Sequence, residues 1–137
     1  MLSEIIQLSF DKIMQTRSYT VVVLGTKEKK FAIYADASVG RILQMYLTDT
    51  PKQRPLTHDL ISTIFSGYDM KVMQVVINDM QDTIYFSRLF LESQENELRH
   101  ILEIDCRPSD SLILALIHNA PVYCTREVLE RTIAIEE

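Results

Sequence analysis

The spacing of the apolar residues changes several times along this chain, and these changes constrain the fold more than any other feature. Short runs that are rich in β-branched residues, or apolar at alternate positions, are typical of β-strands. They predict strands at residues 2–10, 19–24, 31–35, 71–78, 83–91, 101–106 and 121–123. Apolar residues at helical spacing predict helices at residues 38–47, 57–67 and 109–118, and a short last helix follows residue 125.

The order of these segments is strands, helices, strands and helices. This order predicts an α+β domain with a mixed, largely antiparallel sheet and packed helices, because regular βαβ alternation is missing. It also allows a duplicated strands-then-helices unit. Arg54-Pro55 and Arg107-Pro108 each open a helical segment, and each pair is followed by an Asp and then a Leu. A length of 137 residues predicts one domain over residues 1–137, large enough to bury a core.

Polar and proline-containing stretches predict where these elements end. Residues 48–55 carry two prolines and predict a loop, residues 78–82 predict a hairpin turn, and residues 93–99 predict a loop or wide turn. Thr57 and Thr125 are the expected caps of two helices, and Pro108 fits the first turn of a third. The stripe expected to face the core on the second helix includes Leu60, Ile61, Ile64 and Phe65.

The charge and the cysteine content exclude several classes of protein. The net charge is −5, which argues against a protein that coats nucleic acid through a broad basic face. The two cysteines are too few for a disulfide framework. The longest apolar run, residues 112–117, is too short to cross a bilayer, and the N-terminus lacks the positive charge of a signal peptide. The sequence therefore predicts a soluble, cytoplasmic protein with no membrane partner.

The first polar motif is Arg54-Pro55-Leu56-Thr57-His58-Asp59, at the start of a predicted helix. Free N–H groups and the positive end of the helix dipole favour an anion such as phosphate there. His58 and Asp59 are consecutive, so on a regular helix their side chains point about 100° apart. They would form one site only if the helix begins at a cleft. The alternative is ordinary capping, in which Thr57 caps the helix and Asp59 complements the dipole.

The second polar motif is Asp105-Cys106-Arg107-Pro108-Ser109-Asp110, between a predicted strand and a buried helix. Two carboxylates, a guanidinium group and a hydroxyl group within six residues could bind a divalent metal and a phosphate. The alternative is a structural helix start, with Asp110 at the dipole and Arg107 paired with Asp105 or another acid. The histidines have no zinc-ligand spacing.

Several blocks of the sequence carry a resemblance to a known family. They read RPLTHDL at 54–60, INDMQDTIYFSRLFL at 77–91, EIDCRPSDSLILAL at 103–116 and APVYCTREVLE at 120–130. With the FAIYA run at 31–35, their order and spacing resemble those of the bifunctional nuclease domain family, over nearly the whole chain. The resemblance implies a compact α+β domain that cleaves both RNA and DNA.

The matching polar positions are also those singled out by their chemistry, and they are the candidate site residues. The candidate catalytic residues are His58, Asp59 and Asp110. The candidate substrate-binding residues are Arg54, Thr57, Arg107 and Ser109. The candidate ligands of a divalent metal such as Mg²⁺ are Asp59, Asp105 and Asp110. In this hypothesis an arginine faces the phosphate, and His58 moves a proton.

The sequence departs from the family pattern at two positions. Val39 stands where the family usually has an acidic residue early in the first helix, and Asp82-Thr83 replaces a common Asp-Gly turn. The missing carboxylate would remove either a metal ligand or a helix-end charge. A chain that keeps the fold and lacks the activity is therefore the alternative to a nuclease.

Two functions thus remain open. One is a nuclease that hydrolyses RNA and DNA, and the other is an inactive family member that acts as a binding or scaffold module and forms a homo-oligomer. If Arg54, Asp59, Arg107 and Asp110 converge in one cleft, the enzyme gains support. If each is satisfied locally at a helix end, the binding module gains support.

Overall fold

The computed structural model describes residues 4–136, and in that range one sheet of seven strands carries four helices. The strands are β1 (Ile5–Gln15), β2 (Tyr19–Gly25), β3 (Lys30–Asp36), β4 (Met70–Gln81), β5 (Ile84–Glu95), β6 (Leu98–Cys106) and β7 (Val122–Thr125). The helices are α1 (Ala37–Leu47), α2 (Thr57–Gly67), α3 (Pro108–His118) and α4 (Arg126–Arg131).

The strand order across the sheet is β3-β2-β1-β7-β4-β5-β6. The neighbours β4 and β7 are parallel, and the other paired strands are antiparallel. This arrangement confirms the predicted α+β fold with a mixed, largely antiparallel sheet.

The two halves of the sheet repeat one arrangement. The meander β1–β3 is followed by α1, the meander β4–β6 is followed by α3, and the two meanders lie on opposite sides of β7. A duplicated strands-then-helix unit is therefore present in the topology. When the two units are compared, α1 corresponds to α3, whereas Arg54-Pro55 precedes α2. The Arg-Pro echo in the sequence therefore compares two helices that are not equivalent.

The sheet curves so strongly that the strand at one edge, β3, approaches β5 near the other edge. The ring of Phe31 on β3 stacks on the ring of Tyr85 on β5 at a centroid distance of 5.8 Å, although four strands separate β3 from β5 in the sheet order. The core fills this concave side, with Leu24, Phe31 and Leu112 fully buried. The apolar helix α3 is buried from Ser111 to Ala115, as its composition predicts.

The hairpin of β5 and β6 corrects the prediction of a loop at residues 93–99. Most of these residues are strand, and Glu95 pairs with Leu98 across a two-residue turn. Asn96 and Glu97 both have positive φ, 52° and 66°, as a type I′ turn requires. The polar composition was misleading because this hairpin extends into solvent, where β6 side chains are mostly exposed.

Two other strands are longer than predicted. β4 continues to Gln81, so the turn predicted at residues 78–82 is confined to Asp82 and Thr83, with Asp82 at φ 58°. β1 continues to Gln15 because its later residues pair with β2. Residues 2 and 3 of that predicted strand lie outside the described residues.

The helix starts confirm two of the three predicted features. Pro108 occupies the first position of α3, and the Thr125 hydroxyl accepts a hydrogen bond from the Val128 N–H at 3.2 Å. The prediction for α2 was wrong, because Leu56 is the cap residue and Thr57 lies one position inside the helix, exposed.

The apolar stripe of α2 is divided between the core and the surface. Ile61 and Phe65 pack against the core, as predicted. Leu60 and Ile64 are exposed instead, and Tyr68 continues their row at the next turn. Among residues 4–136, no helix has the length and apolar character needed to span a membrane.

Candidate functional site

The first turn of α3 contacts the first turn of α2 through a buried histidine. His58 Nε2 lies 3.0 Å from Asp110 Oδ1, and Arg107 Nε donates to Asp110 Oδ2 at 3.0 Å. The His58 side chain is buried, whereas the side chain of Arg107 is 73% exposed. The structure therefore joins three of the predicted site residues, from motifs that are 52 residues apart in sequence, into one polar chain.

The electrostatics of this polar chain favour an ionised Asp110. Partial burial opposes the charge of Asp110, but the hydrogen bonds from Arg107 and His58 and the positive charge of Arg107 outweigh burial and hold the pKa of Asp110 below its ordinary value. Asp110 in turn raises the pKa of Arg107. The second ring nitrogen of His58, Nδ1, is buried and has no hydrogen-bond partner among the described residues.

The other predicted carboxylate, Asp59, belongs to a separate cluster. Its Oδ2 accepts the Leu56 N–H at 2.8 Å, and its Oδ1 accepts the Tyr46 hydroxyl at 2.8 Å. Lys52 Nζ lies 3.4 Å from Oδ2 and 4.4 Å from the centre of the Tyr46 ring. Burial opposes ionisation of Asp59, but these three partners outweigh it and lower the pKa of Asp59. Burial and the Asp59 carboxylate raise the pKa of Tyr46.

Each motif lines its own cleft. A cleft of about 270 Å³ between β3, the turn of the β4–β5 hairpin and the start of α3 is lined by Arg107 and Ser109, and we call it the α3 cleft. A more open cleft of about 430 Å³ along the loop before α2 is lined by Lys52, Arg54 and Asp59, and we call it the α2 cleft. The contact between His58 and Asp110 joins the helix starts that border the two clefts.

The four residues whose convergence would favour an enzyme are thus divided. Arg54 and Asp59 are at the α2 cleft, whereas Arg107 is at the α3 cleft and bonded to Asp110. Asp59 closes its own helix start, as the capping interpretation expects, but it also accepts the Tyr46 hydroxyl of α1. Asp110 combines a local bond with a bond to another helix, so the structure matches neither expectation fully.

The remaining predicted residues lie around these clusters. Asp105 is exposed on β6, opposite Arg88 of β5. Among residues 4–136, no group of three or more His, Cys, Asp or Glu side chains is placed to hold a metal ion. The three carboxylates predicted to bind Mg²⁺ therefore do not form one ligand set. Val39 stands where the family usually has an acidic residue. It packs against the core at the start of α1.

A second polar contact joins α2, one turn after His58, to the last turn of α3. The Ser62 hydroxyl donates to the His58 carbonyl at 2.9 Å, and His118 Nε2 lies 2.9 Å from the same hydroxyl. Because the hydroxyl proton is directed at the carbonyl, His118 is the donor in the second bond. Burial lowers the pKa of His118, which favours the neutral ring. The two contacts together fix the relative position of the two helix starts.

The cysteines do not supply an activated nucleophile. Burial raises the pKa of Cys106, and it raises the pKa of Cys124 to about 11. Both thiols therefore stay protonated at neutral pH, and a thiolate is the reactive form of cysteine.

Sequence reasoning missed the aromatic residues at both clefts. Tyr46 contacts Asp59 from α1, and Tyr34 and Tyr85 line the α3 cleft. Tyr46 lies within the helix predicted at residues 38–47, and no local signal indicates its contact with a carboxylate. Tyr85 stacks on buried Phe31 and also lines the cleft.

Comparison with known proteins agrees with the sequence blocks. A family model described as the bifunctional nuclease domain matches residues 22–136. Two curated proteins of Mycobacterium tuberculosis, one from strain H37Rv and one from strain CDC 1551 / Oshkosh, are each 32% identical over 120 residues. The match covers 86% of this chain and 69% of each relative, and both relatives are described as uncharacterised.

Proposed function

The chain belongs to the bifunctional nuclease domain family, and from this premise we propose that it hydrolyses the phosphodiester bonds of RNA and DNA. The observation that carries the proposal is the polar chain of His58, Asp110 and Arg107 at the start of α3. The exposed guanidinium group of Arg107 is available to a phosphate, and the Asp110 carboxylate beside it is held ionised.

Arg107 is the residue that contacts the phosphate in this proposal. Its bond to Asp110 uses Nε, and its two terminal nitrogens have no other hydrogen-bond partner within residues 4–136. A guanidinium group fits a phosphate with two parallel hydrogen bonds and stabilises the negative charge that develops in the transition state. Ser109 and the N-terminal end of α3 lie at the same cleft and favour an anion there.

Asp110 and His58 have a supporting role in the attack. The Asp110 carboxylate is half-buried, so one edge of it can orient a water molecule beside the bound phosphate. His58 is too deeply buried to contact the substrate directly, and it lies within proton-transfer distance of Asp110. His58 is therefore a positioning residue that holds the carboxylate toward Arg107.

The α2 cleft supplies a second contact with the nucleic acid. Arg54 and Lys52 line it and carry positive charge, and Thr57 is exposed at the nearby start of α2. We propose that they bind a neighbouring phosphate of the same strand. The predicted Mg²⁺ ion stays a prediction, and since its three carboxylate ligands are apart, no step of the proposal passes through a metal.

The proposal is tested by incubating the purified chain with single-stranded RNA and DNA, with Mg²⁺ in one arm and a chelator in another. We expect cleavage of both substrates, and we expect Arg107→Gln to lower the rate by at least tenfold, since removing one transition-state contact costs roughly that or more. Arg99→Gln is the matched control, because Arg99 pairs with Glu92 on the outer hairpin. Equal cleavage by Arg107→Gln and the wild type would indicate a contaminating nuclease and contradict the proposal.

A specific observation also favours the binding or scaffold module. Leu60, Ile64 and Tyr68 form an exposed apolar row on α2, and such rows often mark contacts between protein molecules. We propose that a homo-oligomer forms through this row. Light scattering on the wild type should give a multiple of the monomer mass, and Ile64→Glu should give the monomer. A wild type that is monomeric at high concentration would contradict oligomerisation.

A further inference from the structure

The α3 cleft continues into an apolar cleft that the proposed phosphate contact does not use. This second region, of about 210 Å³, is lined by Met80, Ile133 and Ile135, and it shares Tyr34, Thr83 and Tyr85 with the α3 cleft. The backbone N–H of Ile135 donates to the Lys30 carbonyl at 2.8 Å, so the C-terminal wall is tied to β3. One continuous groove therefore runs from a cationic end through two tyrosines to an apolar end.

Both tyrosines have an aromatic neighbour that holds the ring. Tyr34 is 65% exposed and lies against Tyr19, with ring centres 5.8 Å apart. Tyr85 is half-buried and stacks on Phe31 at 5.8 Å. A ring that is fixed before binding loses little conformational freedom when a planar ligand stacks on it. The groove thus offers prearranged aromatic surface next to the exposed Arg107.

We propose that this groove binds an unpaired nucleobase of a single-stranded nucleic acid, with the base at Tyr34 and Tyr85 and the adjoining phosphate at Arg107. The assignment of the phosphate rests on the proposed function. A flat base with a phosphate on one side matches the order of groups along the groove, where the two tyrosines lie next to Arg107. Base stacking on aromatic side chains is a main source of affinity for single strands.

The charge of the chain supports this mode of binding. A net charge of −5 gives little long-range attraction for nucleic acid, so affinity has to come from local contacts. Asp36 also lines the α3 cleft and contributes a negative charge near Arg107. A ligand held by charge alone would therefore be disfavoured, whereas stacking does not depend on this carboxylate.

The test measures binding by fluorescence anisotropy with a labelled single-stranded oligonucleotide, its duplex, and an abasic strand with the same number of phosphates. We expect the single strand to bind at least fivefold tighter than either of the others. Tyr34→Ala should weaken single-strand binding by about tenfold, and Tyr34→Phe should retain it, since stacking needs only the ring. Leu98→Ala is the control, because Leu98 is exposed on β6 and lines neither part of the groove.

The outcomes separate this inference from the proposed hydrolysis. A denaturing gel of each sample reports whether the strand was cut, independently of its binding. Equal affinity for the abasic and the normal strand, or equal affinities of Tyr34→Ala and Leu98→Ala, would overturn the nucleobase site even if the gel shows cleavage. Tyrosine-dependent binding of an uncut strand would support the nucleobase site and would count only against the proposed hydrolysis.

Discussion

The first turns of α2 and α3 place an aspartate at the same helical position and connect it in different ways. Asp59 and Asp110 are each the third residue inside their helix, after the cap residues Leu56 and Arg107. Asp59 bonds to the backbone of its own cap residue and to Tyr46 of α1, whereas Asp110 bonds to the side chain of its own cap residue and to His58 of α2. The same position therefore contacts a neighbouring helix in both cases, but it accepts the backbone N–H of its own cap residue only in α2.

The residue at the cap explains part of this difference. The backbone N–H of Leu56 is available to the Asp59 carboxylate, and leucine offers no polar side chain as an alternative. Arg107 does offer one, and its guanidinium group takes one oxygen of Asp110 while His58 takes the other. A sequence motif that looks alike at two helix starts can thus bond to the backbone of its cap residue once and to the side chain of its cap residue once.

The largest expected effect is on stability. Asp110→Ala would leave His58 buried with neither ring nitrogen bonded, and an unsatisfied buried polar group costs about 2 kcal/mol. Asp59→Ala removes a helix-end bond, which costs about 1 kcal/mol, and its partner Tyr46 is close enough to the surface to bind water. Urea denaturation of both variants measures the two free energies of unfolding. A larger loss for Asp59→Ala would reverse the proposed distinction.

The second effect is the coupling between residues. His58 and Asp110 share a bond, so the loss of unfolding free energy in the double variant His58→Ala, Asp110→Ala should differ from the sum of the single losses by about 1 kcal/mol. Asp59 and Asp110 share no bonded partner, and their losses should add within about 0.5 kcal/mol. The same denaturation experiment supplies both cycles. Additive losses for His58 and Asp110 would show that their contact contributes nothing.

The third effect is the dependence of stability on pH. The pKa of Asp110 and the pKa of Asp59 are both lowered in the folded chain. A lowered carboxyl pKa stabilises the fold above the ordinary value of about 3.9, and this contribution disappears as the pH falls through the folded-state pKa. Asp110→Asn and Asp59→Asn should therefore be less stable than the wild type at pH 7, and this difference should shrink as the pH falls below the ordinary carboxyl value of about 3.9. A stability gap that is constant over this range would show that the carboxylate charge is unimportant.

The smallest effect concerns the threonines that the sequence predicted as caps. Thr125→Ala removes the bond to the Val128 N–H and should cost about 1 kcal/mol. Thr57→Ala should change the free energy of unfolding by less than about 0.5 kcal/mol, because Thr57 is exposed inside the first turn of α2. Thermal unfolding compares the two variants, and equal losses would place Thr57 at the cap after all.

The sequence predicted the elements well because apolar spacing reflects which side of each element meets the core. It predicted the order of the segments, the buried helix α3 and the cap at Thr125, and these are local properties. It predicted a loop or wide turn over residues 93–99, where the turn is only Asn96 and Glu97, since polar residues favour a loop unless the paired strands on either side are known. It also placed Leu60 and Ile64 in the core, because helical spacing alone does not show which side of a wide stripe is covered.

The candidate site was predicted less completely because its contacts depend on tertiary structure. Both polar motifs were identified from their chemistry, but no local signal shows that His58 contacts Asp110 while Asp59 contacts Tyr46. The groove at Tyr34 and Tyr85 exists because the sheet curves enough to bring β3 beside the β4–β5 turn. Curvature of this extent is a property of the whole sheet and has no counterpart in a short motif.

In the proposed reaction the first turn of α3, rather than that of α2, carries the chemistry. The most direct measurement compares the rates at which Asp110→Asn and Asp59→Asn cleave the same labelled single-stranded RNA, both variants being first shown to be folded by circular dichroism. We predict that Asp110→Asn cleaves at least tenfold more slowly than the wild type, and that the rate of Asp59→Asn stays within about threefold of the wild-type rate. Equal losses in the two variants, or a larger loss in Asp59→Asn, would contradict the claim.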